Sequence, residues 1–286
     1  MKLYRICLAV AAAVVSLSAH AITYTAQDSI RVTSLLQAAR QKKLSRQQDC
    51  VRFFTRQFYG IPYVAKTLEV NPKEELVVNL RQLDCTTYVE NIVALTLCAK
   101  NRKYSFADFC RYLQLIRYEK NVPLSYPVRL HYFTRWIDSN VEAGICKEIN
   151  SPTPPFSAVQ HVNVDYMTKH ANLYPMLKDN KKNIAQIGKM EKKVSGHSYR
   201  YIPKRAISNT KLLRNTIHDG DIIVILTNKK GLDTQHLGFA SWHKDGLHLI
   251  NASMIHHKVV DEPKLLRKYL NERKSMTGIR IIRLLD

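Results

Sequence analysis

Cys85, His236 and Asn251 are the residues whose types and settings could together carry an acyl transfer. Cys85 follows Asp84 where an extended stretch, Leu76 to Leu80, gives way to a helical pattern. In that pattern Val89, Ile92, Val93 and Thr96 recur at i, i+3, i+4 and i+7. Asp84 is a good N-cap and would place Cys85 in the first helical turn. There the helix dipole and free backbone N–H groups would lower the thiol pKa. The same N–H groups are positioned to stabilise an oxyanion formed by attack of the sulfur. A cysteine at a helix start is more often structural than catalytic, so spacing alone does not make it a nucleophile.

His236 opens a strand-like run in which Gly238 and Ala240 share its face, while Leu237, Phe239 and Ser241 point the other way. Small neighbours leave room beside the imidazole for a helix or a substrate. If Asp245-Gly246 is a two-residue turn, Ala240 faces Asn251, and His236 and Asn251 share one side of the hairpin. A connection one residue longer would send Asn251 to the opposite side. An amide so placed can orient an imidazole and fix its tautomer, which completes a Cys–His–Asn set. His243, His248, His256 and His257 cluster in sequence, but no cysteine or carboxylate pattern around them supports a metal, and none is expected.

Stepping outward, residues 28–58 read as helical, and Gly60-Ile61-Pro62-Tyr63 breaks that pattern. Further helices are predicted from Phe106 to Tyr118 and from Leu130 to Asn140. Residues 151–215 carry five prolines and little periodicity, and read as a loop-rich insertion with one or two helices. The last seventy or so residues change character. Asp221 to Thr227, His236 to Trp242, Leu247 to Asn251 and Ile279 to Leu284 are β-rich, with turn signals at Asp219-Gly220 and Asp245-Gly246. Helices first and strands later predict an α+β domain, with the Cys85 helix against a C-terminal antiparallel sheet.

Met1 to Arg5 is positively charged, Ile6 to Leu17 is apolar but short for a membrane span, and Ser18-Ala19-His20-Ala21 supplies small residues. That layout predicts a secretory signal peptide over residues 1–21 and an exported, periplasmic or secreted protein spanning 22–286 as one domain. No later segment is apolar enough to span a membrane. Loss of Lys2 and Arg5 lowers the formal charge from +21 to +19. Between Lys178 and Lys230, thirteen Lys or Arg oppose four Asp or Glu. Such charge draws a protein to polyanions. The chain shows no finger, basic zipper or RNP-like strand, so nucleic acid is not the expected partner. Five cysteines remain after the leader: Cys50, Cys85, Cys98, Cys110 and Cys146. With Cys85 free, the other four could form two disulfides in an oxidising compartment, or stay buried as apolar thiols.

The run Asn79-Leu80-Arg81, then Asp84-Cys85-Thr86-Thr87-Tyr88-Val89-Glu90-Asn91, resembles the N-acetylmuramoyl-L-alanine amidases of the NlpC-type, papain-like cell-wall hydrolases. The likeness extends through Pro62-Tyr63-Val64-Ala65, Leu130-His131-Tyr132-Phe133 with Trp136, and Tyr201-Ile202-Pro203-Lys204. It continues through Gly220-Asp221-Ile222-Ile223 and Gly231-Leu232-Asp233-Thr234-Gln235-His236-Leu237-Gly238. The resemblance implies a papain-like fold in which the cysteine helix packs on a sheet carrying the histidine. It assigns the nucleophile to Cys85, the base to His236 and a tyrosine lining the site to Tyr63, with no cofactor. The third position departs from the pattern. Relatives typically carry His-Ala-Ser, whereas this chain reads Asn251-Ala252-Ser253, and Asn can still accept the imidazole N–H.

The activity so implied is hydrolysis of the N-acetylmuramoyl–L-alanine bond of peptidoglycan fragments through a thioester. Sister enzymes with the same Cys and His cut the γ-D-glutamyl–diamino acid bond instead, and a non-catalytic wall-binding module is a third reading. Tyr63, Glu90, Tyr201 and Lys204 are the candidate substrate contacts, Lys204 toward the carboxylates of the stem peptide.

Overall fold

The computed structural model describes residues 21–286, so the leader expected over residues 1–21 lies outside the described residues except for Ala21. A short strand β1 (Ile22–Thr23) leads into helix α1 (Ala26–Gln41), followed by α2 (Gln47–Arg56). The sequence predicts one helical stretch here; the structure has two. Lys43 takes a left-handed φ of 52°, and the Leu44 N–H returns to the Ala39 carbonyl at 3.0 Å. That is a helix C-cap in the conformation glycine usually supplies, and Lys-Lys-Leu carries no such signal. Thr25 and Asp28 form a capping box at the other end of α1.

Strand β2 (Leu76–Val77) pairs in parallel with β1 and precedes the central helix α3 (Cys85–Lys100). Every residue of α3 from Thr87 to Ala99 is buried, as expected of a helix enclosed on all sides. Helices α4 (Phe106–Arg117) and α5 (Phe133–Glu142) pack beside it, and β3 (Cys146–Ile149) follows. Cys50, Cys98, Cys110 and Cys146 are buried free thiols in this helical core. The two disulfides that their number allows are not formed.

The segment 151–215 contributes more than loops. It holds β4 (Ala158–His161), α6 (Tyr166–Lys169), α7 (Lys181–Val194), β5 (Ser198–Pro203) and α8 (Lys211–Thr216). A small apolar cluster including Val162, Met167, Leu177 and Ile187 anchors it to Tyr126 and Tyr132. Glu191 sits buried inside and accepts from the Tyr132 hydroxyl at 2.8 Å and from the Met167 N–H at 3.0 Å.

The remaining elements are β6 (Ile222–Thr227), β7 (Thr234–Trp242), β8 (Leu247–Ser253), β9 (Lys258–Asp261), α9 (Leu266–Asn271) and β10 (Met276–Leu284). The sheet runs β4-β5-β10-β6-β7-β8-β9, with β3 also pairing to β10, and its pairs are antiparallel. Both faces of its centre are covered. Ile222, Val224 and Leu226 of β6 face the helical core with α3, while Ile223 and Ile225 face Leu266, Tyr269 and Leu270 of α9. Hence β6 reads as an unbroken apolar run rather than an alternating one. The expected α+β architecture, with the Cys85 helix against an antiparallel sheet, is what the chain adopts. Among the described residues no helix is long and apolar enough to cross a membrane.

Candidate active site

Asp84 caps α3 as its sequence setting requires. Its Oδ1 accepts from the Thr87 N–H at 2.8 Å, and the Thr87 hydroxyl accepts from the Asp84 N–H at 2.9 Å. This closed capping box fixes Cys85 as the first helical residue. The approach is braced from both sides. Asn79 Oδ1 accepts from the N–H groups of Arg81 and Gln82, and buried Asp28 accepts from the Leu80 N–H at 2.9 Å. Pro62 to Val64 runs alongside Leu83, bridging it at Tyr63.

Cys85 is half-buried at the start of α3, with the Leu237 N–H, the Thr86 hydroxyl and its own N–H as the neighbouring donors. These donors favour a thiolate, but burial outweighs them, and the Asp84 carboxylate adds to it. The thiol is pushed up to about 12. The depressed pKa expected from the helix dipole is therefore corrected: the resting group is a neutral thiol. Tyr63 is also raised to about 12, by burial and then by the proximity of Cys85.

His236 is placed by a β-bulge. Ile225 pairs with His236 but Leu226 pairs with Thr234, so Gln235 is the extra residue. Bulges re-aim side chains next to sites. Gln235 is itself pinned, its Oε1 accepting from the Thr227 hydroxyl at 3.1 Å and the Ser275 hydroxyl at 2.8 Å. Just upstream, buried Asp233 accepts from the Thr134 N–H at 2.7 Å, tying the start of β7 to the N-terminus of α5.

The β7–β8 ladder runs from Trp242↔Leu247 to Phe239↔Ile250, leaving residues 243–246 as the connection. That is two residues longer than the sequence predicts. An even difference preserves facing, so Asn251 still shares the side of His236. The imidazole Nε2 lies 2.9 Å from Asn251 Oδ1, and Asn251 is fully buried. Asn251 Nδ2 donates to the Leu249 carbonyl at 3.3 Å, which turns Oδ1 toward the ring. Nε2–H is then the donor, and the lone pair is left on Nδ1. Burial holds His236 below its ordinary pKa; the Asn251 hydrogen bond opposes this, and the Arg273 charge reinforces it. Gly238 allows the strands to close here, since a Cβ would lie 2.6 Å from the Ile250 carbonyl.

Tyr269 and Arg273 join the site without an obvious sequence signal beyond their i, i+4 spacing. The Tyr269 ring lies 6.3 Å from the His236 ring, and the Arg273 guanidinium sits over Tyr269 at 5.1 Å. Lys204 reaches the same segment, its Nζ donating to the Arg273 carbonyl at 3.5 Å. Tyr201 is half-buried against β10, where Gly278 admits its ring: a Cβ would lie 2.7 Å from the ring carbons. Glu90 is corrected. It is 2% exposed, and its carboxylate accepts from Arg117 Nε at 2.7 Å while Arg117 also donates to the Val77 carbonyl. Its position on the inner side of α3 makes it a brace between α3 and α4, not a substrate contact. Away from this site, the hairpin connection sets Asp245 beside His243 and His248.

Residues 53–279 match the family described as N-acetylmuramoyl-L-alanine amidase-like. Solved structures are similar over most of the chain. An N-acetylmuramoyl-L-alanine amidase from Bacteroides uniformis is 34% identical with a TM-score of 0.77, over 84% of this chain and 99% of that one. A Bacteroides fragilis protein, named provisionally as a xylanase, is 39% identical with a TM-score of 0.74, over 80% and 98%. A Legionella pneumophila protein shares the fold at 23% identity and a TM-score of 0.67, over 91% and 95%. No curated protein matches the chain.

Proposed function

This chain belongs to the N-acetylmuramoyl-L-alanine amidase-like family, and from that premise we propose that it is an exported cysteine amidase that splits N-acetylmuramoyl–L-alanine bonds in peptidoglycan fragments. The observation that carries the reading is the convergence on one strand. The helix that begins with Cys85 packs on β7, and the His236 side chain of that strand is held at Nε2 by Asn251. The nucleophile helix lying on the sheet that bears the base supports a place among the papain-like, NlpC-type hydrolases.

The reaction begins from a neutral pair. The Cys85 sulfur attacks the lactyl carbonyl carbon as its proton passes to His236, whose lowered pKa keeps it unprotonated at neutral pH. Free N–H groups at the start of α3 receive the oxyanion. Collapse breaks the C–N bond, and the imidazolium gives its proton to the departing L-alanine amine. Water, deprotonated by His236, then cleaves the thioester and returns the thiol. Asn251 stabilises the imidazolium formed in both steps. Arg273 and Lys204, cations at one edge of the site, suit the carboxylates of an acidic stem peptide.

A glycosidase reading would need two carboxyl groups facing each other across the scissile bond, about 5–10 Å apart. The groups gathered here are a thiol, an imidazole, an amide and two phenols. Asp84, the nearest carboxylate, is held in its capping box. Cys85 is free rather than in a disulfide, which favours an enzyme over a binding module.

Mass spectrometry of defined muropeptides, including anhydro forms, incubated with the wild type and Cys85→Ala tests the proposal. Release of an intact stem peptide beginning with L-alanine, by the wild type alone, is the expected result. Cleavage after D-glutamate would keep the mechanism and move the bond. Equal activity of Cys85→Ala would remove the cysteine from the reaction.

A further inference from the structure

The β7–β8 connection ends the hairpin on the side away from His236, about 20 Å along a strand rising ~3.3 Å per residue. Here His243, Asp245 and His248 each offer a donor atom within 4.8 Å of the other two. His248 is 3% exposed, with Nδ1 2.8 Å from the Glu262 backbone oxygen and Nε2 3.1 Å from Asp245 Oδ1. Both partners are acceptors, whereas a neutral imidazole has one N–H. The carbonyl can only accept, so the N–H belongs on Nδ1, and the Nε2 lone pair then points at a carboxylate. A cation between them resolves that conflict.

His243 is prepared in a complementary way. Its Nε2 lies 3.0 Å from Asp261 Oδ2 and 3.1 Å from the Ser241 hydroxyl, which leaves Nδ1 free. Imidazoles that bind metals commonly have their other nitrogen held by a carboxylate or a backbone carbonyl. His243 has the first and His248 the second. The 3.1 Å from His248 Nε2 to Asp245 Oδ1 also fits the ~3.3 Å edge of a tetrahedron with ~2.0 Å zinc bonds. His243 and Asp245 are both exposed, so an ion reaches them from solvent.

We propose that His243, Asp245 and His248 bind one divalent cation of the zinc class, with Asp261 and the Glu262 carbonyl orienting the two imidazoles. Two imidazoles and one carboxylate suit zinc better than magnesium or calcium, and leave a fourth position for water. The ion would tie the hairpin connection to the start of β8. It thereby locks the register that sets Asn251 on the same side as His236, since a one-residue slip would turn Asn251 away.

The test uses the full-length protein carrying Cys85→Ala, so that the thiol and His236 cannot hold zinc, stripped with chelator and titrated with zinc alone. One zinc per chain at micromolar concentration, with a melting temperature raised by several degrees and no rise with magnesium, is expected. Adding His243→Ala and Asp245→Asn, both at exposed side chains, should weaken zinc binding at least tenfold and abolish the thermal shift. The metal-free melting temperature should stay unchanged. Absence of micromolar binding, or zinc retained equally by the triple variant, would overturn the site.

Discussion

His236 Nε2 and Asn251 Oδ1 stand 2.9 Å apart on neighbouring antiparallel strands, one Gly238-width from a backbone clash. The contact is constrained further because the amide is itself oriented by the Leu249 carbonyl.

Asn251→Ala should therefore leave a base that is present but poorly aimed. We expect kcat/KM to fall about tenfold to a hundredfold, less than the ~10²–10⁴ that loss of a general base costs. Muropeptide turnover by His236→Ala and Asn251→Ala, measured side by side, gives the ranking. Equal losses would mean that Asn251 does more than orient the ring.

The acid limb of activity should lie below pH 6.5. Catalysis needs neutral His236, and burial lowers its pKa from 6.5, so protonation sets in only at more acidic pH. Arg273 contributes to that lowering, so Arg273→Gln should move the limb toward higher pH. A pH–rate profile of kcat/KM for both proteins checks the direction. A limb above 6.5 in the wild type would contradict a buried, neutral base.

Glu90→Ala should act on stability rather than on substrate affinity. It strands the Arg117 guanidinium, 2% exposed, in the core, and breaking such a pair costs about 3–5 kcal/mol. Urea denaturation should show the loss, while KM of the folded fraction stays near wild type. A large rise in KM with unchanged stability would restore Glu90 to the substrate site.

Gly238→Ala places a methyl 2.6 Å from the Ile250 carbonyl and 2.8 Å from Leu249 carbons. Overpacking of this kind typically costs about 1–3 kcal/mol. Because the strain falls between the strands bearing His236 and Asn251, kcat should drop along with the melting temperature. Ala at Gly196, where a Cβ meets nothing within 4 Å, is the control; its φ of +87° confines any cost to the backbone.

Much of the site was legible because its signals are local. A capping aspartate before a cysteine, and a small-residue strand beginning with histidine, are features of a few adjacent residues. The shared side of His236 and Asn251 was reached although the hairpin connection is two residues longer than expected, because facing depends only on parity. The sequence does not reveal the role of Glu90, because its partner, Arg117, lies on another helix and pairing across 27 residues leaves no periodic trace. Tyr269 and Arg273 enter through tertiary packing of the short helix α9. Strand β5 does alternate, with Tyr199 and Tyr201 half-buried and Arg200 exposed, but Pro203 and the surrounding prolines mask it. The cysteine count allows either fate, and the core takes all four as buried thiols.

Strand β10 follows every other strand in sequence, yet it lies inside the sheet, between β6 on one edge and β3 and β5 on the other. The sheet on which the thiol helix packs is thus completed only by a segment nearly two hundred residues downstream of Cys85. Such a topology cannot grow strand by strand from the N-terminus, and its distant pairings make for slow, late closure. A chain that has not yet placed β10 lacks the centre of the sheet that carries His236. Hydrolytic capacity would then arise as a step rather than a ramp, and a wall-degrading activity would be withheld from any unfinished chain.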